Sequence, residues 1–361
     1  MIAAAASLYR SLVYRVANLF EAEAAHSQAL RSLAWAQSAS LGRAILRLLA
    51  GRLPAQPVER FGLRFPNRLG VAAGYDKDGR IPAGLARLGF GHLEIGTLTP
   101  RPQAGNEQPR LFRLPQDEAL INRLGFPNGG AEAAAQRLAR ARPAQGEYVL
   151  GVSLGKQEET PLAEAAADYV ACLQAVFAVA DYVALNISSP NTPGLRELQG
   201  RSYLDGFLAE LMAANRALAQ TFGRPPRPLL LKVSPDLSAE ALEAALDCAL
   251  RAGLSGLIAT NTTTDHSNLT SRHREQSGGV SGRPLAARSN AALAFLARHA
   301  GGRLALIGVG GVSDADDVRA KLDCGADLVQ IYTALVYHGP ALAGRILRQL
   351  DPDSKLRLSP P

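Results

Sequence analysis

The sequence predicts an α/β fold: a (β/α)8 TIM barrel with an N-terminal helical extension and small extra β elements. Three observations carry this. Between Leu69 and Tyr332, eight short apolar runs alternate with helical stretches. The runs are apolar throughout, the pattern of parallel strands buried on both faces. Each run also ends in glycine, hydroxyl, amide or lysine, at the end of the strand where a barrel places its chemistry.

Residues 1–52 read as helices. Leu8, Leu12, Val13, Val16, Leu19 and Phe20 recur at spacings of three and four, as do Leu41, Ile45, Leu48 and Leu49. The polar positions are mainly arginine: Arg10, Arg15, Arg31, Arg43, Arg47 and Arg52, against Glu21 and Glu23. Such a segment either lies on an anionic membrane surface or packs as a helical hairpin on the main domain. Pro54 and Pro57 mark a linker, and Val58–Phe65 alternates like a strand with a turn at Gly62.

The eight expected strands are Leu69–Ala73, Leu93–Thr97, Tyr148–Leu154, Tyr182–Ile187, Leu229–Val233, Leu257–Thr260, Leu304–Val309 and Leu328–Tyr332. Helical periodicity fills Leu162–Ala180, Ala239–Ala252 and Leu285–His299. The interval 98–147 is too long for one helix. Phe112–Leu114 and Ala119–Ile121 are candidate extra strands there, capping the barrel. Domain limits follow: a helical segment over 1–52, a barrel over 57–350 and a tail over 351–361. No GxGxxG opens a helix after a strand, so a Rossmann nicotinamide site is not supported.

Composition narrows the function. The chain has 361 residues, 47% of them hydrophobic, and a formal charge of +7. It shows no dense Lys/Arg run interleaved with aromatics, which argues against nucleic acid. Cys172, Cys248 and Cys324 are far apart, and none of the six histidines shows metal-ligand spacing. No charge-free apolar run is long enough to span a bilayer.

The strand ends point to chemistry. The first ends in Ala73-Gly74-Tyr75-Asp76-Lys77, the second in Gly96-Thr97, and the third in Ser153. The fourth opens into Asn186, Ser188, Ser189, Asn191 and Thr192, amides and hydroxyls that can orient a polar ligand. Lys232 ends a run of leucines, where a lysine is costly unless paired with an anion. Thr260-Asn261-Thr262-Thr263, Gly308-Val309-Gly310-Gly311 and Tyr332-Thr333 close the set. Glycine-rich loops at the last two ends, with Gly282, Gly311 and Thr333, suit a phosphate. A phosphate with a flat ring over glycine-lined strand ends suggests flavin mononucleotide, with Lys232 near its pyrimidine edge. Without a flavin, the alternative is an isomerase or aldolase in which Lys232 forms a Schiff base.

Long motifs also carry a resemblance. LGVAAGYDKDG (69–79), EIGTLTPRPQAGNEQPRLFRL (94–114), INRLGFPNGG (121–130), LNISSPNTPGLR (185–196), LKVSPDLS (231–238), ATNTT (259–263), GGVSGRPL (278–285), IGVGGV (307–312) and VQIYTAL (329–335) resemble dihydroorotate dehydrogenase. The likeness runs from about residue 57 to 345. The helical extension, and Ser189 where the cytosolic class has cysteine, resemble class 2, the membrane-associated, quinone-dependent enzymes. A soluble relative using fumarate or a nicotinamide would have cysteine at 189 and little before the barrel.

The resemblance implies oxidation of (S)-dihydroorotate to orotate, the fourth step of de novo pyrimidine synthesis. One non-covalent FMN would be the first acceptor and a membrane quinone the second. It implies Ser189 as the base at C5 and a substrate site of Lys77, Asn122, Arg123, Leu124, Gly125, Phe126, Asn186, Asn191, Asn261 and Thr262. For FMN it implies Ala73, Gly74, Tyr75, Asp76, Lys77, Thr97, Ser153, Asn186, Lys232, Thr260, Gly282, Gly311, Tyr332 and Thr333. His26 and Arg113, with the first helices, would form the quinone entrance. No metal is implied. The protein would be a monomer, held peripherally at the cytoplasmic side of the inner cell membrane through its N-terminal helices. Ser153 departs from the asparagine that many relatives carry beside the flavin, and Tyr75 from their leucine or phenylalanine.

Overall fold

The structure is a computed structural model and describes residues 9–141, 146–192 and 194–351. Leu8 and Pro193 lie outside the described residues, as do 352–361, which hold nearly all of the expected tail. Eight parallel strands close into a barrel: β3 (Leu69–Val71), β4 (His92–Leu98), β7 (Val149–Leu154), β8 (Tyr182–Asn186), β9 (Leu229–Val233), β10 (Gly256–Ala259), β12 (Ala305–Val309) and β13 (Leu328–Ile331). Each lies within a residue or two of its expected run. The helices of the repeat, such as Ala165–Val176, Ala239–Ala252 and Ala286–Ala300, pack outside and bury the outward strand face. Sheet and helix are thus each covered on their apolar side, the condition that stabilises this layered architecture.

A two-strand hairpin, β1 (Val58–Arg60) and β2 (Leu63–Phe65), precedes the barrel. Its turn is Phe61-Gly62, both at positive φ, as a two-residue hairpin turn requires. Phe61 lies edge-on to Tyr182, with ring centroids 5.8 Å apart. Val58, Phe65 and Tyr182 share one buried cluster, so the hairpin closes the N-terminal end of the barrel. Tyr182 needs room inside the barrel: a Cβ on Gly151 would lie 2.1 Å from its ring. That glycine is therefore fixed by a close approach.

The 98–147 interval does carry two extra strands, β5 (Leu111–Leu114) and β6 (Ala119–Asn122). A third, β11 (Gly279–Gly282), joins β6 antiparallel and completes a small sheet. Phe112, Leu114, Ala119, Ile121, Leu269 and Val280 form its separate core.

The N-terminal segment is helical. Tyr9–Val13 forms a wide turn, continued by Tyr14–Ala17. Helices Ala22–Ser38 and Ser40–Ala50 then form an antiparallel hairpin. Glu21 caps the first by accepting the N–H groups of Glu23 and Ala24. Gly42 permits close packing of the pair, because a Cβ there would lie 2.4 Å from the Ala36 backbone. Polar ties dock the hairpin on the barrel. Gln37 donates to the Arg80 carbonyl at 2.7 Å and accepts from the Gly84 N–H at 2.9 Å. Arg110 grips Glu23 through two contacts, at 2.7 and 2.9 Å. Among the described residues no helix is long and apolar enough to cross a membrane.

Candidate active site

The C-terminal strand ends enclose one cleft, roofed on one side by β5, β6 and β11. Nineteen of the residues expected in the site line it together: Ala73, Gly74, Lys77, Thr97, Asn122, Leu124, Gly125, Phe126, Asn186, Ser189, Asn191, Lys232, Thr260, Asn261, Thr262, Gly282, Gly311, Tyr332 and Thr333. They come from every barrel strand but β7, and from the small sheet.

The polar groups hold one another. Asn186 donates to Thr97 Oγ1 at 2.8 Å and accepts from Asn261 Nδ2 at 3.1 Å. Asn261 Nδ2 also reaches Ser188 Oγ at 3.0 Å. Asn191 Nδ2 donates to Asn122 Oδ1 at 3.1 Å. Ser189 is buried, and its Oγ accepts the Asn191 N–H at 3.2 Å. Arg196 steadies this loop by donating to the carbonyls of Ser188 and Thr262 while pairing with Asp236 at 3.1 Å. The Thr192 and Thr262 hydroxyls are buried with no hydrogen-bond partner among the described residues. Thr262 lines the cleft, so its hydroxyl is left to a ligand.

Lys77 and Lys232 both bring cations to the cleft. Burial lowers the Lys77 pKa, with Glu23 acting in the opposite direction. Its ammonium has no ion-pair or hydrogen-bond partner among the described residues, although it lines the cleft beside the asparagines.

A second polar set lies deeper. Glu94, inside β4, is 1% exposed and was not expected from the sequence. Its Oε1 lies 3.6 Å from Lys232 Nζ, so it is the anion that a lysine ending a leucine run requires. Its Oε2 accepts from the Tyr182 hydroxyl at 3.1 Å and from Gln330 Nε2 at 3.0 Å. Gln330 lines the cleft, and its Oε1 is buried with no partner among the described residues.

Four expected cleft residues sit elsewhere. Ser153 is fully buried behind Thr97, to which it hydrogen-bonds at 2.9 Å. The Asp76 carboxylate turns away and accepts the N–H groups of Arg80 and Ile81, each at 2.8 Å. The Arg123 guanidinium bonds the Pro109 carbonyl and Gln276, and lies over the Phe112 ring. Tyr75 faces a different cavity.

That cavity is a groove of about 780 Å³ between the helical hairpin and the barrel. Its walls are mostly aliphatic and aromatic, among them Leu33, Ile45, Leu46, Leu49, Tyr75 and Leu88. His26 and Arg113, expected at a second entrance, both line it. His26 Nε2 lies 2.9 Å from the Tyr75 carbonyl oxygen. Burial, reinforced by the Lys77 charge, pushes His26 down to about 4, so the ring is neutral at pH 7 and Nε2 donates. Arg113 donates to the Ala17 carbonyl at 3.0 Å and to that of Phe20. Leu111, Leu120 and Tyr332 line both cavities, so one thin wall separates them.

The profile of the dihydroorotate dehydrogenase family matches residues 57–353. The chain belongs to the dihydroorotate dehydrogenase family. Its similar relatives carry the designation "Dihydroorotate dehydrogenase (quinone)". That of Chloroflexus aurantiacus is 47% identical over 352 residues, covering 96% of each chain. That of Thermus thermophilus is 48% identical over 336 residues, covering 93% of this chain and 94% of its own. Among solved structures, the DHODH of Eimeria tenella in complex with ferulenol superposes with a TM-score of 0.78 at 34% identity. The match covers 86% of this chain and 90% of that one. The chain is therefore an oxidoreductase of the quinone-dependent branch of the family.

Proposed function

We propose that the cleft oxidises (S)-dihydroorotate to orotate in pyrimidine synthesis, with one non-covalent FMN as first acceptor and a membrane quinone as second. The observation that carries this reading is the company Lys77 keeps. An unpaired ammonium, four asparagine amides and a buried serine converge on one cleft. An anionic carboxylate attached to a ring of amide groups is the complement of that set.

The residues also fit a flavin. Gly74, Gly310 and Gly311 leave backbone exposed to a flat ring and its phosphate. The orphaned Gln330 Oε1 suits a ring N–H, and Lys232 adds a cation beside it. Gly282, Gly311 and Thr333 would hold the phosphate, and Ala73, Thr97, Asn186 and Thr260 the ring system. Ser153 would act through Thr97 rather than directly. FMN bound there would supply the hydride acceptor at C6 and the two-electron link to the quinone. Lys77 anchors the substrate carboxylate, while Asn122, Asn186, Asn191 and Asn261 fix the ring. Ser189 Oγ, its own proton passing to water, takes the C5 proton as the C5–C6 double bond forms. The Asn191 N–H holds that oxygen in place and favours negative charge on it.

The groove between hairpin and barrel would admit the quinone, with His26 and Arg113 as its polar contacts. Among the described residues, nine large exposed hydrophobics, including Leu12, Leu19, Phe20, Trp35, Leu41 and Leu48, lie in this N-terminal segment. Such a patch suits a monomer seated peripherally on the cytoplasmic face of the inner membrane.

The test is an anaerobic visible spectrum of the purified protein. Flavin bands should bleach with dihydroorotate and return with a quinone analogue. Flavin bands that ignore dihydroorotate would remove the substrate, and a colourless protein that takes up no FMN would remove the cofactor.

A further inference from the structure

Asp236, in the loop after β9, lies outside the cleft, yet the loops after β8 and β10 both meet on it. Its carboxylate accepts the Thr263 hydroxyl at 2.5 Å, and the Thr264 N–H and hydroxyl at 2.9 and 3.1 Å. These three donors come from the loop after β10. From the loop after β8, Arg196 pairs with Asp236 at 3.1 Å. Arg288, on the helix Ala286–Ala300, reaches it at 3.5 Å and is itself held by Asp265 at 2.6 Å.

Arg196 links this hub to the cleft. Its Nε donates to the Ser188 carbonyl at 3.4 Å, and its Nη2 to the Thr262 carbonyl at 3.3 Å. The Ser188 carbonyl belongs to the peptide that carries the Ser189 N–H, and a peptide is planar. Fixing that carbonyl therefore fixes the direction in which the chain enters Ser189. On the other strand end, Asn261 and Thr262 line the cleft as Ser189 does. One guanidinium thus spans the two strand ends, and Asp236 holds the guanidinium. A rigid fork of donors can serve three acceptors at once, which a lysine cannot do.

We infer that Asp236, acting through Arg196, is a positioning residue that sets Ser189 against the substrate ring held by Asn261 and Thr262. The inference rests on the reading of Ser189 as the base. A base misplaced by about 1 Å can cost about a hundredfold in rate, although no group at the reacting atoms is removed. Burial raises the Asp236 pKa, but Thr263, Thr264 and Arg196 together outweigh it and hold the carboxyl below its ordinary value. The hub is therefore charged at neutral pH.

The test measures flavin reduction by dihydroorotate in the full-length, FMN-loaded protein. Asp236→Asn keeps the shape of the hub and removes its charge. It should lower the limiting rate of flavin reduction between about ten- and a hundredfold. The Kd of orotate, read from the flavin spectrum, should stay within about twofold, because no contact to the ring is removed. Arg196→Lys should do the same, and it carries the test if a thermal melt shows that Asp236→Asn does not fold. The Ser189→Ala background separates positioning from general support of the cleft. There Asp236→Asn should cost less than about twofold more, because both changes act on one step. A full further loss in that background, an orotate affinity that falls as far as the rate, or wild-type rates in both single variants would overturn the inference. Wild-type reduction by Ser189→Ala itself would instead overturn the base assignment, and this inference with it.

Discussion

The cleft and the groove share a wall of Leu111, Leu120 and Tyr332, yet they are built on opposite principles. In the cleft several polar side chains are held by partners from distant parts of the chain: Asn186 by Thr97 and Asn261, Asn122 by Asn191, Lys232 by Glu94. In the groove one wall is the barrel and the other a helical hairpin tied down by a few polar contacts. These are Glu23 to Arg110, Gln37 to Arg80 and Gly84, His26 to Tyr75, and Arg113 to Ala17 and Phe20. A network of fixed dipoles suits a reaction in which charge moves at defined atoms. An apolar slot suits a ligand recognised chiefly by its hydrophobic surface. The two half-reactions should therefore be separable by mutation.

The strongest break falls on the cleft alone. Ser189→Ala should leave FMN bound and slow flavin reduction by dihydroorotate by about 10²–10⁴, with quinone reoxidation unchanged. Stopped-flow measurement of the two half-reactions checks this, and wild-type reduction would show that Ser189 is not the base. Lys77→Met should come next. Removing its ammonium should raise the dihydroorotate KM between about ten- and a hundredfold, the range for a charge-assisted contact. An unchanged KM would place the substrate carboxylate elsewhere.

The reverse break falls on the groove. Ala25 lines it from the hairpin side. Ala25→Phe fills part of the slot and should slow reoxidation by a long-chain quinone about tenfold, an overpacking effect on the bound position. Flavin reduction by dihydroorotate should be untouched. If both half-reactions slowed together, the two cavities would not be independent.

The same contrast explains what could be read in the sequence. The barrel strands were legible because burial on both faces leaves continuous apolar runs, as in Leu229–Val233, which matches its observed strand residue for residue. The cleft was legible because its residues sit at the ends of those runs. Glu94 was not, since Tyr182, Lys232 and Gln330 reach it from strands far away in the chain. A hint was present all the same: Lys232 called for an anion, and Glu94 is the one carboxylate inside the eight expected barrel strands. Strand β11 has glycine at two of its four positions and no strand propensity of its own; pairing with β6 makes it a strand. Ser153, Asp76 and Arg123 carry side chains of the right chemistry at the right place in the chain. Their orientation is decided by Thr97, by the Arg80 and Ile81 N–H groups and by Phe112. Helical periodicity pointed to helices over residues 1–52, and among the described residues helices run between Tyr9 and Ala50. It did not point to which barrel face they cover. That depends on single contacts such as Glu23 to Arg110.

The smallest expected effect concerns how firmly the hairpin is docked. His26 is neutral in the docked state because burial pushes it down to about 4. An undocked His26 would titrate near its ordinary value of about 6.5. Between those values the undocked state binds more protons, so docking strengthens as pH rises. The contribution is present above about pH 6.5 and is lost as pH falls toward 4. Glu23 is held below its ordinary range chiefly by its bond to Arg110, so its contribution fails at a lower pH, after that of His26. The barrel has its own acid-sensitive group, His92, which burial pushes down to about 3, but its protonation is coupled to the cooperative core rather than to one docked element. Trp35, the single tryptophan, lines the groove and reports on the hairpin alone. Its ring is largely exposed already, so the readout is fluorescence anisotropy, which should fall between pH 6.5 and 4 as the hairpin loosens, while the flavin spectrum holds. His26→Asn should flatten the upper part of that transition. A Trp35 signal unchanged from pH 7 to 4 would show that the His26 contact does not contribute to docking, leaving the apolar face, the Arg110–Glu23 pair and the Gln37 ties to hold the hairpin.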